Sequence, residues 1–160
     1  MLRRDFLVMF ATAAAGGMVL PAWLVVNAEE LEVTKTDTEW RSVLTPAQYD
    51  VLRREATEPP GSSPLLNEHR EGIFVCAGCE LPLFRSETKY DSGTGWPSFW
   101  KPIEGAIGTR TDKKLWMERT EVHCRRCGGH LGHVFKDGPP PTGQRYCMNG
   151  LALKFVPKSG

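Results

Sequence analysis

The chain has 160 residues, 41% apolar, 9% aromatic and 24% charged, with a formal net charge of +1. That balance describes a soluble globular domain and excludes collagen-like, coiled-coil and low-complexity disordered chains. Near-neutral charge also provides no long-range basic field for nucleic acid and no acidic tail.

Arg3-Arg4-Asp5 precedes an uncharged run, Phe6–Val26, that is Ala/Gly-rich in its middle and interrupted by Pro21. Val26-Asn27-Ala28 then sets small residues at the two positions a signal peptidase reads. A basic start, a moderately apolar core and a small-residue exit predict a secretory signal over residues 1–28. Its paired arginines resemble a twin-arginine export signal, which implies a periplasmic protein, although the usual Ser or Thr before the pair is lacking. The alternative is an uncleaved anchor facing the periplasm, because the run is long enough to span a bilayer. A membrane enters the expectation through this segment alone.

Residues 29–44 read as a polar, extended arm, and the domain proper as residues 45–160. Thr45-Pro46, with Gln48 at the capping-box place, predicts a short helix from about Pro46 to Ala56, stopping before Pro59-Pro60-Gly61. Residues 57–71 are turn-rich. Beyond Gly72 come short apolar runs: Ile73-Phe74-Val75, Leu81–Phe84, Leu115-Trp116-Met117, His133-Val134-Phe135 and Leu151–Val156. Glycine, proline, Asp and Asn punctuate them, which predicts antiparallel β-structure. The fold class is therefore mainly β with a short N-terminal helix.

Four of the five cysteines form two knuckles, Cys76-Ala77-Gly78-Cys79 and Cys124-Arg125-Arg126-Cys127. Four thiolates satisfy one tetrahedral structural Zn2+, and the long insertion between the pairs adds little closure entropy. Two disulfides, or a thioredoxin-like redox pair, are the competing readings in an exported protein. No βαβ pattern surrounds either pair, which weighs against the second. A twin-arginine route carries folded cargo, so the metal can load before the thiols meet an oxidant.

Cys147 is left over. In Arg145-Tyr146-Cys147-Met148-Asn149 the odd positions share one face of a strand, so a guanidinium and a carboxamide flank the sulfur. A nearby cation is expected to lower the thiol pKa and make the sulfur nucleophilic; a buried core cysteine is the bland alternative. His130 and His133 follow the second knuckle. With four cysteines already filling a tetrahedral site, they are available for proton transfer, although a mixed Cys/His site stays open. His123 reads as structural and His69 as a solvated loop residue. Between Tyr90 and Trp100, aromatic residues among glycines and proline predict a loop presenting rings. Trp96 and Trp100 are placed to wall a pocket for a polarizable group such as a thioether methyl.

Taken together, the ordered motifs from Trp40 to Phe155 resemble the methionine-(R)-sulfoxide reductases of the B type. They are Cys76-x-x-Cys79, Tyr90-Asp91-Ser92-Gly93-x-Gly95-Trp96-Pro97-Ser98-Phe99, Cys124-x-x-Cys127-Gly128-x-His130-Leu131-Gly132-His133-Val134-Phe135 and Arg145-Tyr146-Cys147-Met148-Asn149. The resemblance implies two antiparallel sheets, with zinc clamping two loops away from the active site. It implies Cys147 as the nucleophile on the sulfoxide sulfur, His130 and His133 as the proton network, and Asn149 and Arg145 beside the nucleophile. Trp96 becomes the wall for the S-methyl group, with Phe99 and Phe135 also assigned to substrate binding. The products are methionine and a Cys147 sulfenic acid. Many members carry a second cysteine where this chain has Thr94, which predicts a one-cysteine cycle completed by an external thioredoxin-like protein or small thiol. Gly150-Leu151 also replaces a serine that often follows Asn149. A zinc-stabilised, non-catalytic binding module on a similar β-fold is the runner-up, and a thiol oxidoreductase using the C-x-x-C pairs is the third reading.

Overall fold

The polar segment ahead of residue 45 is not an extended arm. In the computed structural model, which describes residues 30–113 and 117–159, it holds a helix, α1, over Asp37–Val43. The signal-like segment and the Leu115-Trp116 part of the predicted apolar run lie outside the described residues. Thr36 caps α1 through a reciprocal capping box: its hydroxyl accepts from the Glu39 amide, and the Glu39 carboxylate accepts from the Thr36 amide at 2.7 Å. One buried residue, Trp40, anchors α1, with the Arg53 guanidinium 4.8 Å above its ring. Helix α2 spans Pro46–Arg54 behind the same device built from Thr45 and Gln48. It ends slightly earlier than predicted, at Glu55 in a left-handed conformation, and buries Tyr49, Val51 and Leu52.

After a 3₁₀ turn at Pro64–Asn67, nine strands follow among the described residues, interrupted by 3₁₀ turns at Ser86–Thr88 and Gly150–Ala152. They are β1 (Gly72–Cys76), β2 (Pro82–Arg85), β3 (Lys89–Tyr90), β4 (Ser98–Phe99), β5 (Ile107–Asp112), β6 (Arg119–Cys124), β7 (His130–Phe135), β8 (Arg145–Met148) and β9 (Leu153–Pro157). They form two antiparallel sheets, a three-stranded one in the order β2-β1-β9 and a six-stranded one in the order β3-β4-β8-β7-β6-β5. Where the sheets face each other, Phe99 stacks on Phe84 at 4.3 Å and meets Phe74 edge-on at 5.0 Å. Phe74, Phe84, Leu83, Val122, Leu131 and Met148 complete a core with no solvent exposure. Phe99 is equally inaccessible. Its assignment to substrate binding is therefore corrected: strand neighbours point to opposite faces, so Phe99 faces the core where Ser98 faces the site.

The register of the large sheet places chemistry in one row. Tyr90 pairs with Ser98, Ser98 with Cys147, Cys147 with His133, His133 with Glu121, and Glu121 with Arg110. Directly opposed residues in an antiparallel sheet share a face. Five strand pairings thus line up two hydroxyls, a thiol, an imidazole, a carboxylate and a guanidinium across the sheet. Close approach of β7 and β8 needs a glycine, because a Cβ at Gly132 would overlap the Cys147 carbonyl.

Candidate active site

Cys147, partly buried on the central strand β8, lies at a pocket of about 120 Å³. Trp96 and Phe135 supply aromatic walls, and His133, Arg119, Asn149 and Thr57 line the polar side. The pocket thus gathers four residues singled out from sequence besides the thiol: His133, Asn149, Trp96 and Phe135. His130 sits behind them, 3% exposed, with its ring centroid 5.4 Å from that of His133. Trp100 is not among the lining residues.

Each polar group has an identifiable support. His133 Nε2 lies 2.9 Å from Asp112 Oδ2, and the same oxygen takes the Arg119 guanidinium at 2.7 Å. Burial lowers the His133 pKa below its ordinary 6.5, with the Asp112 hydrogen bond opposing. A neutral ring facing a carboxylate carries its proton on Nε2, so Nδ1 keeps a lone pair. His130 Nδ1 lies 2.7 Å from Glu121 Oε1, which also accepts from Arg110 at 3.0 Å. Burial pushes the Glu121 carboxyl up, but hydrogen bonds from His130 and Arg110 outweigh it and hold the group at about 2. Asn149, also 3% exposed, is committed to the scaffold: it donates to Leu131 O at 3.1 Å and accepts from the Glu58 amide at 3.0 Å.

The expected depression of the Cys147 pKa is not what the site produces. Burial raises it above the ordinary 9.0, and the lowering contributions of Thr94, Arg145 and Ser98 do not compensate. Arg145 explains the weakness of its own effect. Its guanidinium makes two 2.9 Å bonds to Asp137 and lies 4.3 Å from the Phe135 ring, so a carboxylate already holds its charge. Around the sulfur run hydroxyls instead. Thr94 Oγ1 stands 3.9 Å from Cys147 Sγ, 2.8 Å from Ser92 Oγ, and Ser92 is 2.7 Å from Ser98 Oγ.

The other four cysteines meet elsewhere. The sulfurs of Cys76, Cys79, Cys124 and Cys127 all lie within 4.8 Å of one another, and none is disulfide-bonded. Cys76 Sγ is 3.7 Å from Cys127 Sγ, and Cys79 Sγ is 3.5 Å from Cys124 Sγ. Such a set can hold one metal ion, joining the loop after β1 to the turn after β6. Neither histidine belongs to it.

Arg119, Asp112, Glu121, Asp137 and Thr57 were not identified from sequence. Period-two alternation in Arg119-Thr120-Glu121-Val122-His123 is a local signal that Arg119 and Glu121 share a face. Nothing local marks Asp112, whose role depends on strand pairing.

Comparison with known proteins agrees with this geometry. The SelR domain family matches residues 44–157. The peptide methionine sulfoxide reductase MsrB of Agrobacterium fabrum is 51% identical over 127 residues, covering 79% of this chain and 94% of the relative. The proteins of that name from Bradyrhizobium diazoefficiens and Pseudomonas putida are 53% and 52% identical, covering 79% and 81% of this chain and 92% and 98% of the relatives.

Proposed function

The chain belongs to the SelR family of B-type peptide methionine sulfoxide reductases, and from that premise we propose how its pocket acts. The enzyme is a peptide-methionine (R)-S-oxide reductase that returns the R epimer of methionine sulfoxide in proteins to methionine. These relatives do not favour a non-catalytic binding module. One observation carries the mechanism: Cys147 opposes His133 across β8 and β7 in a pocket walled by Trp96. A volume of about 120 Å³ suits one side chain and not a folded segment. Trp96 receives the S-methyl group, and Phe135 bounds the opening.

Cys147 attacks as the sulfoxide oxygen gains a proton. Its sulfur attacks the sulfoxide sulfur while the S–H proton passes through His133 to the sulfoxide oxygen, and the substrate sulfur–oxygen bond breaks as that oxygen moves to Sγ. Cys147 sulfenic acid and the thioether result, with the proton count unchanged. His130, held by Glu121, backs His133; Asn149 lines the pocket with its carboxamide bonded to Leu131 and Glu58, and Arg145 flanks Cys147 on β8 with its charge held by Asp137. Two external thiol groups then return the thiol, releasing water and leaving a disulfide. Thr94 at 3.9 Å offers a hydroxyl and not a thiol, which supports a one-cysteine cycle served by a thioredoxin-like protein or a small thiol.

The metal is read as zinc. Bonds of about 2.3 Å in a tetrahedron place sulfurs about 3.8 Å apart, close to the 3.7 and 3.5 Å found here. Held by Cys76, Cys79, Cys124 and Cys127, it would supply a crosslink and no chemistry at the pocket. Residues 1–28 are read as a twin-arginine export signal and the protein as periplasmic, with a retained anchor as the alternative; this rests on Arg3-Arg4 and Ala28. Among the described residues no helix is long and apolar enough to cross a membrane. N-terminal sequencing of the exported form decides between the two.

The test of function is turnover of a peptide carrying either separated epimer. Reduction of the R form that disappears in Cys147→Ser is expected; reduction of the S form alone would overturn the reading.

A further inference from the structure

The mechanism above makes no use of Glu58, yet this 4% exposed residue bonds to two of the pocket's lining residues, Trp96 and Asn149. Its carboxylate accepts from the amides of Gly150 at 2.5 Å and Leu151 at 2.9 Å, in the turn that follows the nucleophile. Its own amide donates to Asn149 Oδ1 at 3.0 Å, and its carbonyl accepts from Trp96 Nε1 at 3.0 Å. The main chain of one residue therefore bonds both the indole and the carboxamide, and its carboxylate fixes that main chain to the turn after the nucleophile. Its two chain neighbourhoods press on the same parts. Any Cβ at Gly150 would overlap Ser63 Oγ and come within 3.3 Å of Glu58 Oε1. On the other side Gly95, at φ +92°, accepts from the Gly61 amide at 2.8 Å, and a Cβ there would come within 2.8 Å of Pro60.

We propose that Glu58 is a positioning residue that sets the gap between Trp96 and Asn149, and thereby the selectivity of the pocket for an S-methyl sulfoxide over larger S-alkyl groups. The proposal rests on the reading of Trp96 as the methyl wall. A carboxylate suits the task because a single group accepts both turn amides, whereas glutamine offers one acceptor oxygen and turns N–H groups toward the second amide. Burial makes the mismatch costly. Once the carboxylate no longer holds the Gly150–Leu151 turn, the Glu58 main chain that bonds Trp96 and Asn149 shifts by fractions of an ångström, and selectivity for one methylene, worth about 10- to 200-fold in a fixed apolar pocket, declines.

The experiment compares Glu58→Gln with the wild-type enzyme on R-epimer peptides carrying the S-methyl or the S-ethyl sulfoxide. Metal content and melting temperature are measured alongside. The expected result is a fall of about tenfold in kcat/KM for the methyl substrate with a rise of at least about threefold in the ethyl-to-methyl ratio, in a protein that retains its metal. A folded variant with an unchanged ratio overturns the proposal, because a merely structural role would scale both substrates equally. Glu58→Asp, which keeps the charge at shorter reach, gives a second reading. Failure of both variants to fold would assign the residue to the fold and overturn the proposal as well. If the wild-type enzyme itself fails on the methyl R epimer, the reading of function falls and not the clamp alone.

Discussion

Burial and charge act on Cys147 in opposite directions, and burial prevails. The resting group is accordingly a thiol at neutral pH, and alkylation of Cys147 by iodoacetamide should accelerate through pH 9 and beyond, with Cys147→Ser as the blank; a plateau below pH 8 would contradict this. Arg145→Ala removes a lowering influence, so the same profile should move to higher pH. Thr94→Cys would place a second thiol close to Sγ, and one turnover should then leave a stoichiometric disulfide, seen by mass spectrometry, where the native chain leaves none. Glu121 provides a stability signature. Its carboxyl titrates near 2 when folded against 4.5 when unfolded, so its contribution is complete above 4.5 and is lost as pH falls from there toward 2. Urea midpoints across that window should drop, and Glu121→Gln should flatten the drop. Cys147, Trp96 and His133 were legible because they fall in contiguous motifs. Asp112 and Glu121 were not, since the partner of each is chosen by pairing among β5, β6 and β7.

Local devices explain which elements were readable. Thr45-Pro46-x-Gln48 announced α2 because a cap, a proline and a capping-box acceptor act within one turn. The same box in Thr36-Asp37-Thr38-Glu39 begins α1, where polar composition read as an arm; Trp40 and Leu44, four apart and both buried, are the apolar pair that marks a helix face. Thr45→Ala should reduce stability by about 1 kcal/mol in urea unfolding. Phe99 shows the limit of motif reading. Membership in a motif assigned it to substrate, but its pairing opposite Tyr146 directs it inward while Ser98, opposite Cys147, faces the site. Phe99→Ala should therefore cost about 3–5 kcal/mol by opening a cavity. A KM effect at full stability would contradict its place in the core.

At the scale of the whole molecule, two centres divide the work. Four sulfurs gather from the loop after β1 and the turn after β6, so one ion held there would link the small sheet to the large one. Chelation should release about one metal ion per chain and lower the melting temperature, because binding energy at such a site is folding energy; a chelated protein with an unchanged melting curve would contradict the assignment. The other centre, in the proposed mechanism, rests on one sulfur that would take an oxygen atom. The most direct test is a single turnover of the R-epimer peptide with no reductant present, followed by a reagent that traps sulfenic acid. The account predicts one trapped sulfenic acid on Cys147 for each methionine formed. Methionine formed with Cys147 unmodified, or already bonded to another cysteine of the chain, would contradict it.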